Sequence, residues 1–103
     1  MRTLKFVVEG QNIIQDPSCD FSGLYPGTKG YLKAEFKFSP EWKDCRKAAV
    51  FEMLRNEYPV PLIENSCEIP AEALTWKTFS VQAVGERDGY RITTNKVEVK
   101  QNG

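Results

Sequence analysis

Apolar and polar residues alternate strictly from Leu32 to Phe38, and this alternation predicts a β-strand. One side carries Leu32, Ala34, Phe36 and Phe38, and the other carries Lys33, Glu35 and Lys37. A period of two is typical of a strand with one buried face and one solvated face. Ser39-Pro40 then ends the pattern, because proline has no amide hydrogen to donate to a neighbouring strand. We expect the stretch Gly30–Phe51 to form the centre of the fold, with Trp42 filling the space between two layers.

Helix and strand compete in the next stretch, Ser39–Tyr58. Ser39 can cap a helix, Pro40 suits its first position, and Glu41 suits its dipole. Apolar residues also recur at helical spacing, at Trp42, Cys45, Ala49 and Met53. Against a helix, Ala48–Phe51 is apolar at consecutive positions, and valine and phenylalanine favour a pleated surface. Local rules support the two alternatives about equally, and the resemblance described below favours a strand at about Arg46–Leu54.

Further short alternating runs predict more strands, separated by turns. We expect these strands near Leu4–Val8, Ile13–Gln15, Tyr58–Leu62, Cys67–Ile69, Phe79–Ala83 and Tyr90–Lys100. Pro59 and Pro61 require an edge position or a bulge, Arg87–Gly89 indicates a hairpin, and Pro70–Leu74 predicts a single helical turn. About seven or eight short, mainly antiparallel strands are typical of an immunoglobulin-like β-sandwich. The length fits a single domain that spans residues 1–103.

Asp16–Lys29 is the longest irregular segment. Loops of this length in compact domains are often functional or are held down by their own aromatic residues. We expect Phe21 and Leu24 to pack, and the sequence assigns no role to Tyr25 or to the loop as a whole. Asp16 and Asp20 suit turns better than calcium binding, because two acidic side chains do not make an oxygen cage. At the other terminus, Gln101–Gly103 is expected to be frayed or to be a junction.

Composition narrows the function classes. The chain has 14 basic and 14 acidic residues and no net charge, so electrostatics does not draw it to nucleic acid or to an anionic membrane. No apolar run approaches the roughly 20 residues that span a bilayer, and the first residues lack a signal-peptide pattern, which favours synthesis in the cytoplasm. Cys19, Cys45 and Cys67 show no paired spacing and are expected to be reduced thiols, although a Cys45–Cys67 bridge stays open.

Residues that carry common catalytic chemistry are scarce. The chain has no histidine, which removes the most frequent general base, nucleophile partner and metal ligand. The cysteine spacing does not suit zinc, and Gly27–Gly30 lacks the residue order and the following helix of a phosphate loop. Four carboxylates could in principle support hydrolysis: Glu35, Glu41, Asp44 and Glu52. On strands such charges usually form a solvated face, so we expect no catalytic residues, no metal and no cofactor.

Four aromatic residues are the candidate binding residues. They are Tyr25, Tyr31, Trp76 and Tyr90. Exposed rings of this kind can stack on sugars, and protein interfaces are also enriched in them. Trp42 is assigned to the core instead, and without a basic surplus the aromatic residues do not predict a site for single-stranded nucleic acid.

The order of features from Tyr31 onward resembles a family of small domains from tail, baseplate and fibre-region proteins of phages and prophages of Gram-positive bacteria. The matching stretches are Tyr31–Phe38, Trp42, Ala48–Phe51, Val60–Leu62, Cys67–Pro70 with Glu72 and Leu74, Phe79–Val81, Val84-Gly85 and Gly89–Asn95. They cover about three quarters of the chain and consist of strand edges and turns. The Asp16–Lys29 loop lies outside the resemblance.

The resemblance implies a non-enzymatic virion structural protein, made in the cytoplasm of the bacterial host, that docks on other tail or baseplate subunits and forms homo-oligomers. It supplies no site residues. Such a module acts through rigid shape and a largely apolar contact. The alternative is a module that binds carbohydrate or a receptor, such as a glycan of the host surface, through the four candidate aromatic residues. An enzyme would require a deep pocket lined by at least two of the four carboxylates.

Overall fold

The computed structural model describes residues 1–102 and consists of two facing β-sheets. The strands are β1 Arg2–Glu9, β2 Asn12–Gln15, β3 Leu32–Phe38, β4 Arg46–Met53, β5 Asn56–Pro61, β6 Ser66–Glu68, β7 Thr78–Arg87, β8 Tyr90–Thr93 and β9 Val97–Lys100. Two short 3₁₀ turns cover Pro40–Trp42 and Ala71–Leu74, and the second is the helical turn predicted near Pro70–Leu74. Among residues 1–102, no helix is long and apolar enough to cross a membrane.

The two sheets form an all-β sandwich, as predicted. The first sheet has the order β2-β1-β3-β6, and the second has the order β5-β4-β7 with β8 and β9 along the far edge of β7. Every pairing is antiparallel except β1 with β3, which is parallel. The predicted last strand, Tyr90–Lys100, divides into two because the hydroxyl of Thr94 accepts the hydrogen bond of the Ala83 amide at 3.0 Å.

Within the contested stretch Ser39–Tyr58, Arg46–Met53 forms a strand, which confirms the favoured alternative of a strand at about Arg46–Leu54. Only Pro40–Trp42 is helical, and the Ser39 hydroxyl does not cap it but accepts a hydrogen bond from the Gly10 amide at 2.8 Å. Along β4, Ala49, Phe51 and Met53 are buried while the residues between them are partly exposed. Burial of one side of β4 against the facing sheet therefore outweighs the local helix signals.

A continuous row of aromatic rings fills the space between the sheets. Neighbouring centroids along Phe6, Phe36, Phe38 and Trp42 lie 5.3, 5.9 and 5.0 Å apart. Trp42 is fully buried, as predicted, and its indole N–H donates to the Gly10 carbonyl at 2.8 Å. Because that polar atom is satisfied, the whole ring contributes apolar contact at no hydrogen-bonding cost.

The Asp16–Lys29 loop is packed against the sandwich. Leu24 is buried, and the Phe21 ring meets the Phe6 ring edge-on with centroids 5.5 Å apart. Asp16 and Asp20 each accept hydrogen bonds from the amide and hydroxyl of the serine two residues later. The predicted packing and the predicted turn role of both aspartates are confirmed.

The end of the described chain is anchored, so the prediction of fraying is wrong for Gln101 and Asn102. Gln101 is buried, and its side-chain amide donates to the carbonyls of Leu74 at 3.3 Å and Trp76 at 2.7 Å. The Asn102 amide donates to the Leu24 carbonyl at 2.6 Å. Polar tail residues gave no sequence signal for this anchoring, because it depends on carbonyls far away in the chain. Gly103 lies outside the described residues.

Candidate functional site

Three of the four candidate aromatic residues are exposed. Tyr25 is 64%, Tyr31 is 50% and Trp76 is 45% accessible, whereas Tyr90 is only partly accessible. Such rings offer apolar area with a polar tip, which is the combination found in many contact surfaces. The exposed rings are therefore available to a partner.

The three exposed rings lie at the same end of the sandwich. Tyr31 precedes the start of β3, which pairs in parallel with the start of β1. Trp76 precedes the start of β7, beside the end of antiparallel β4. Two hydrogen bonds join the Tyr25 region to this end, from the Gly27 amide to the Leu74 carbonyl at 2.8 Å and from the Asn102 amide to the Leu24 carbonyl.

Two further exposed apolar side chains belong to this end. Met1, before β1, is 70% accessible, and Leu54, just after β4, is 60% accessible. We call the surface of Met1, Tyr25, Tyr31, Leu54 and Trp76 the Trp76 end; it holds five of the seven exposed large hydrophobic residues of the described chain. Sequence reasoning missed Met1 and Leu54, although an apolar residue at the tip of a hairpin turn was a usable signal for Leu54.

Tyr90 lies at the opposite end of the sandwich. It begins β8, next to the end of β7. Its hydroxyl donates to the Glu41 carbonyl at 3.1 Å, and the Arg87 guanidinium lies 4.5 Å from the ring centroid. These contacts fix the ring to the fold, so the structure does not bring Tyr90 together with the other three candidates.

Arg2 holds the Asp16–Lys29 loop beside the Trp76 end. Its guanidinium donates to the carbonyls of Asp20 at 2.9 Å, Ser22 at 2.6 Å and Gly23 at 3.4 Å. The hydrogen bonds from Ser22 lower the pKa of the Asp20 carboxyl, which keeps its acceptor oxygens charged at neutral pH. The loop that carries Tyr25 is thus fixed by both charge and hydrogen bonding.

Two of the four carboxylates considered for catalysis, Glu41 and Glu52, line separate surface depressions. Glu41 lines a broad, open groove of about 940 Å³ together with Glu9, Asp16 and Lys37, while Glu52 lines a separate depression beside Ser80. A hydrogen bond from Ser39 lowers the pKa of Glu41, and one from Lys96 at 2.8 Å lowers the pKa of Glu52. Both side chains are therefore ionised at neutral pH and are not poised to donate a proton.

The cysteines do not form a metal site or a disulfide. Cys19, Cys45 and Cys67 are free thiols, so the Cys45–Cys67 bridge that the sequence left open is not formed. Within residues 1–102, no three histidine, cysteine, aspartate or glutamate side chains form a group that could hold a metal ion. Burial raises the pKa of the Cys67 thiol to about 11, so this thiol is protonated at neutral pH.

The outer edges of the sheets are poorly suited to strand addition. In β5 the Leu62 amide points to β4, where it donates to the Lys47 carbonyl at 2.9 Å. Backbone groups alternate in direction along a strand, so the odd positions of β5 face outward, and Pro59 and Pro61 occupy two of them. An approaching strand would find no amide hydrogens there.

The β2 edge is closed by the other sheet. The side chain of Asn95 accepts from the Ile13 amide at 2.8 Å and donates to the Ile13 carbonyl at 3.3 Å. The Gln15 side chain donates to the Glu98 carbonyl at 3.0 Å, across the same gap. At β6, both backbone groups of Ser66 pair with Ile63, and Pro70 follows soon after. At the β5, β2 and β6 edges, contacts with other molecules must therefore rely mainly on side chains.

No protein-family model, curated protein or solved structure matches the chain.

Proposed function

We propose that this protein is a non-enzymatic structural module of a phage or prophage virion, placed in the tail, baseplate or fibre region, and that it acts by protein–protein assembly. The observation that carries the proposal is the concentration of exposed apolar side chains at the Trp76 end. The resemblance of Tyr31–Asn95 to tail and baseplate domains supplies the biological setting.

The physical character of the Trp76 end supports docking. Grouped exposed rings offer much apolar area at a low cost in side-chain entropy, and such residues dominate binding energy at protein interfaces. The surface is also held firmly, because Arg2 fixes the loop of Tyr25 and Gln101 holds the carbonyls of Leu74 and Trp76. A preformed surface loses little conformational entropy when a partner binds. The expected partners are other tail or baseplate subunits and further copies of this chain, with no nucleic acid and no membrane.

Particle purification tests the proposal directly. Prophages of the source strain would be induced, the particles purified on a density gradient, and the chain sought by immunoblotting and immunogold microscopy. We expect the chain in intact particles, and we expect Tyr25→Ala/Trp76→Ala to reduce its incorporation. Tyr90→Phe serves as the control, since it alters an aromatic residue at the opposite end. Particles that lack the wild-type chain would overturn the proposal.

A second candidate function is the binding of carbohydrate or of a host receptor. The observation in its favour is that Tyr25, Tyr31 and Trp76 are exposed at one end, since sugars stack on accessible aromatic rings. A glycan array would be probed with the wild-type chain and with Tyr25→Ala, Tyr31→Ala and Trp76→Ala. Binding that is lost in these variants and retained in Tyr90→Phe would support the candidate, and an array without binding would reject it. Glycan binding and virion assembly can coexist in one tail module.

A further inference from the structure

The outward face of the second sheet carries an apolar centre where a solvated face would be polar. The strand register places Ala48 beside Pro61 and Val84, and Val50 beside Pro59. All five side chains belong to the outward side, since the alternate positions of the same strands supply the core. Contiguous apolar area on an exposed sheet face is typical of an interaction surface.

Charged rows flank this apolar centre on its two sides along the strand direction. We call the row on the side of the Trp76 end the lower row, and the row on the side of Tyr90 the upper row. The lower row crosses four strands and consists of Glu57, Glu52, Ser80 and Glu98, which are register partners. The upper row crosses three strands and consists of Arg46, Glu86 and Arg91. Lys96 pairs with Glu52, and Arg91 pairs with Glu86. Within residues 1–102 the guanidinium of Arg46 forms no ion pair.

The lower row is electrostatically unfavourable in the isolated chain. Glu52 and Glu57 are directly opposed on adjacent strands, and like charges in that relation destabilise a sheet. Lys96 offsets only part of this repulsion, and its pKa is raised by Glu52 and Glu57. Additional positive charge above this row would be stabilising.

The two rows are complementary to each other under a two-fold rotation. Ala49 and Ala83 are register partners at the middle of the sheet. Consider a two-fold axis that lies above this pair, parallel to the sheet and perpendicular to its strands. This rotation places Arg46 opposite Glu52 of a second copy, because the two residues are equally distant from Ala49. The same rotation places Glu86 opposite Ser80, and Arg91 opposite Glu98. In the centre, Ala48 meets Val50 and Pro61 meets Pro59, while Val84 meets the side chain of Gln82.

From this register we infer that the outward face of β5, β4, β7, β8 and β9 is a homodimer interface, in which two copies pack face to face with antiparallel strands. A contact of this kind is isologous, since the same patch serves both copies. Aligned sheets pack about 10 Å apart, a distance that long arginine and glutamate side chains can bridge. The inference rests on the proposed function for its biological role, because it names a second copy as one assembly partner.

The size of the face predicts a weak dimer. Four strand positions across and eight residues along give a face of about 19 by 26 Å, on the order of 500 Å² per copy. The roughly 1,000 Å² buried in total would lie at the lower end for a specific protein–protein interface. Association should therefore depend on concentration over the range from about 10 μM to about 1 mM.

Charge exchange within one chain tests the inference. Sedimentation equilibrium would be measured for wild type, Arg46→Glu, Glu52→Arg and the double variant Arg46→Glu/Glu52→Arg. Each single variant places like charges opposite one another twice in the dimer, so we expect the dimer to weaken on the order of tenfold. The double variant restores opposite charges and should recover most of the affinity. Recovery requires the two residues to face each other across the interface, which a merely structural effect would not produce.

Lys37→Glu is the matched control, because it makes a similar charge change on the outer face of the first sheet and should leave the dimer unchanged. Val50→Lys tests the apolar centre, with circular dichroism to verify the fold, and should abolish association. A wild-type chain that stays monomeric up to about 1 mM, or a double variant that is not rescued, would overturn the inference. Either result would leave the virion proposal standing, since that proposal is judged by the presence of the chain in particles and by the Trp76 end.

Discussion

Gly85 of β7 lies directly beneath the indole of Trp42, where a Cβ at position 85 would be 2.7 Å from Cε3 and 2.8 Å from Cζ3 of the ring. Real Cβ atoms do not approach other atoms so closely. This glycine has an ordinary extended backbone, and its role is to leave room for the ring. The missing side chain lets the largest residue of the core sit flat on the second sheet while its N–H reaches the Gly10 carbonyl.

Gly85→Ala should therefore destabilise the fold by overpacking. Introducing one methyl group into a filled core typically costs about 1–3 kcal/mol, and urea unfolding would measure this loss. Ser80→Ala is the control on the outward side of the same strand, where we expect a change within about 0.5 kcal/mol. The fluorescence of Trp42, followed in a Trp76→Phe background, should change in Gly85→Ala. Unaltered fluorescence with wild-type stability would contradict the contact.

Asn95 is expected to hold the two sheets together along the β2 side. Replacement by alanine removes both hydrogen bonds to Ile13 and leaves a partly buried amide without a partner, at a cost of about 1–3 kcal/mol. Asn95→Asp keeps the acceptor for the Ile13 amide but places a carboxylate oxygen against the Ile13 carbonyl, so it should protect the Ile13 amide better than alanine does while still lowering global stability. Hydrogen exchange of the Ile13 amide is the sensitive measurement, since this amide should lose protection first. If only global stability changed and Ile13 stayed protected, the bridge would not act locally as the geometry indicates.

The strands were predictable where burial on one side dominates the local sequence. Leu32–Phe38 alternates without exception, and the two prolines correctly placed β5 at an edge. Ser39–Tyr58 was ambiguous because Ser39, Pro40 and Glu41 are residue types that often begin a helix. In the structure the Ser39 hydroxyl accepts a hydrogen bond from the Gly10 amide instead of from an amide of the turn that follows it. Neither this bond nor the parallel pairing of β1 with β3 has a local signature, because both join segments distant in sequence.

The candidate site was predictable only in part, for a related reason. Residue type alone selected Tyr25, Tyr31 and Trp76, and all three are exposed. The same criterion selected Tyr90, which lies at the other end and is bonded to Glu41. Which rings share an end is decided by strand direction and sheet order, and these depend on the parallel β1–β3 pair that the sequence did not reveal.

Arg2 is expected to restrain the Asp16–Lys29 loop, since one planar guanidinium binds three carbonyls. Arg2→Ala should loosen the loop, and limited trypsin digestion should cut after Lys29 severalfold faster. Arg2→Lys should restore little of the protection, because a single ammonium group cannot reproduce the fork of donors. Lys33→Ala provides the control for loss of a nearby positive charge. Equal digestion rates for Arg2→Ala and wild type would show that the loop is held by its packed Phe21 and Leu24 alone.

The stability of the fold should decline in acid through Asp16 and Asp20. Hydrogen bonds from the backbone and side chain of Ser18 lower the pKa of Asp16 below its ordinary value of 3.8, and those from Ser22 do the same for Asp20. A carboxyl whose pKa is lowered by folding contributes stability above its unfolded pKa, and this contribution is lost as the pH falls through the folded pKa. The free energy of unfolding should thus be constant above about pH 5 and fall below about pH 4.

Asparagine variants isolate this contribution. Asp16→Asn and Asp20→Asn keep an acceptor oxygen but remove its charge, so each should lower stability at neutral pH and make the decline in acid shallower. The difference from wild type should shrink as the pH falls through the folded-state pKa values, because protonation then removes the wild-type charges as well. Asp88→Asn is the control, as it removes one carboxylate from the exposed β7–β8 turn. Urea midpoints measured across this range would contradict the assignment if all three variants ran parallel to wild type, because the acid sensitivity would then originate elsewhere in the chain.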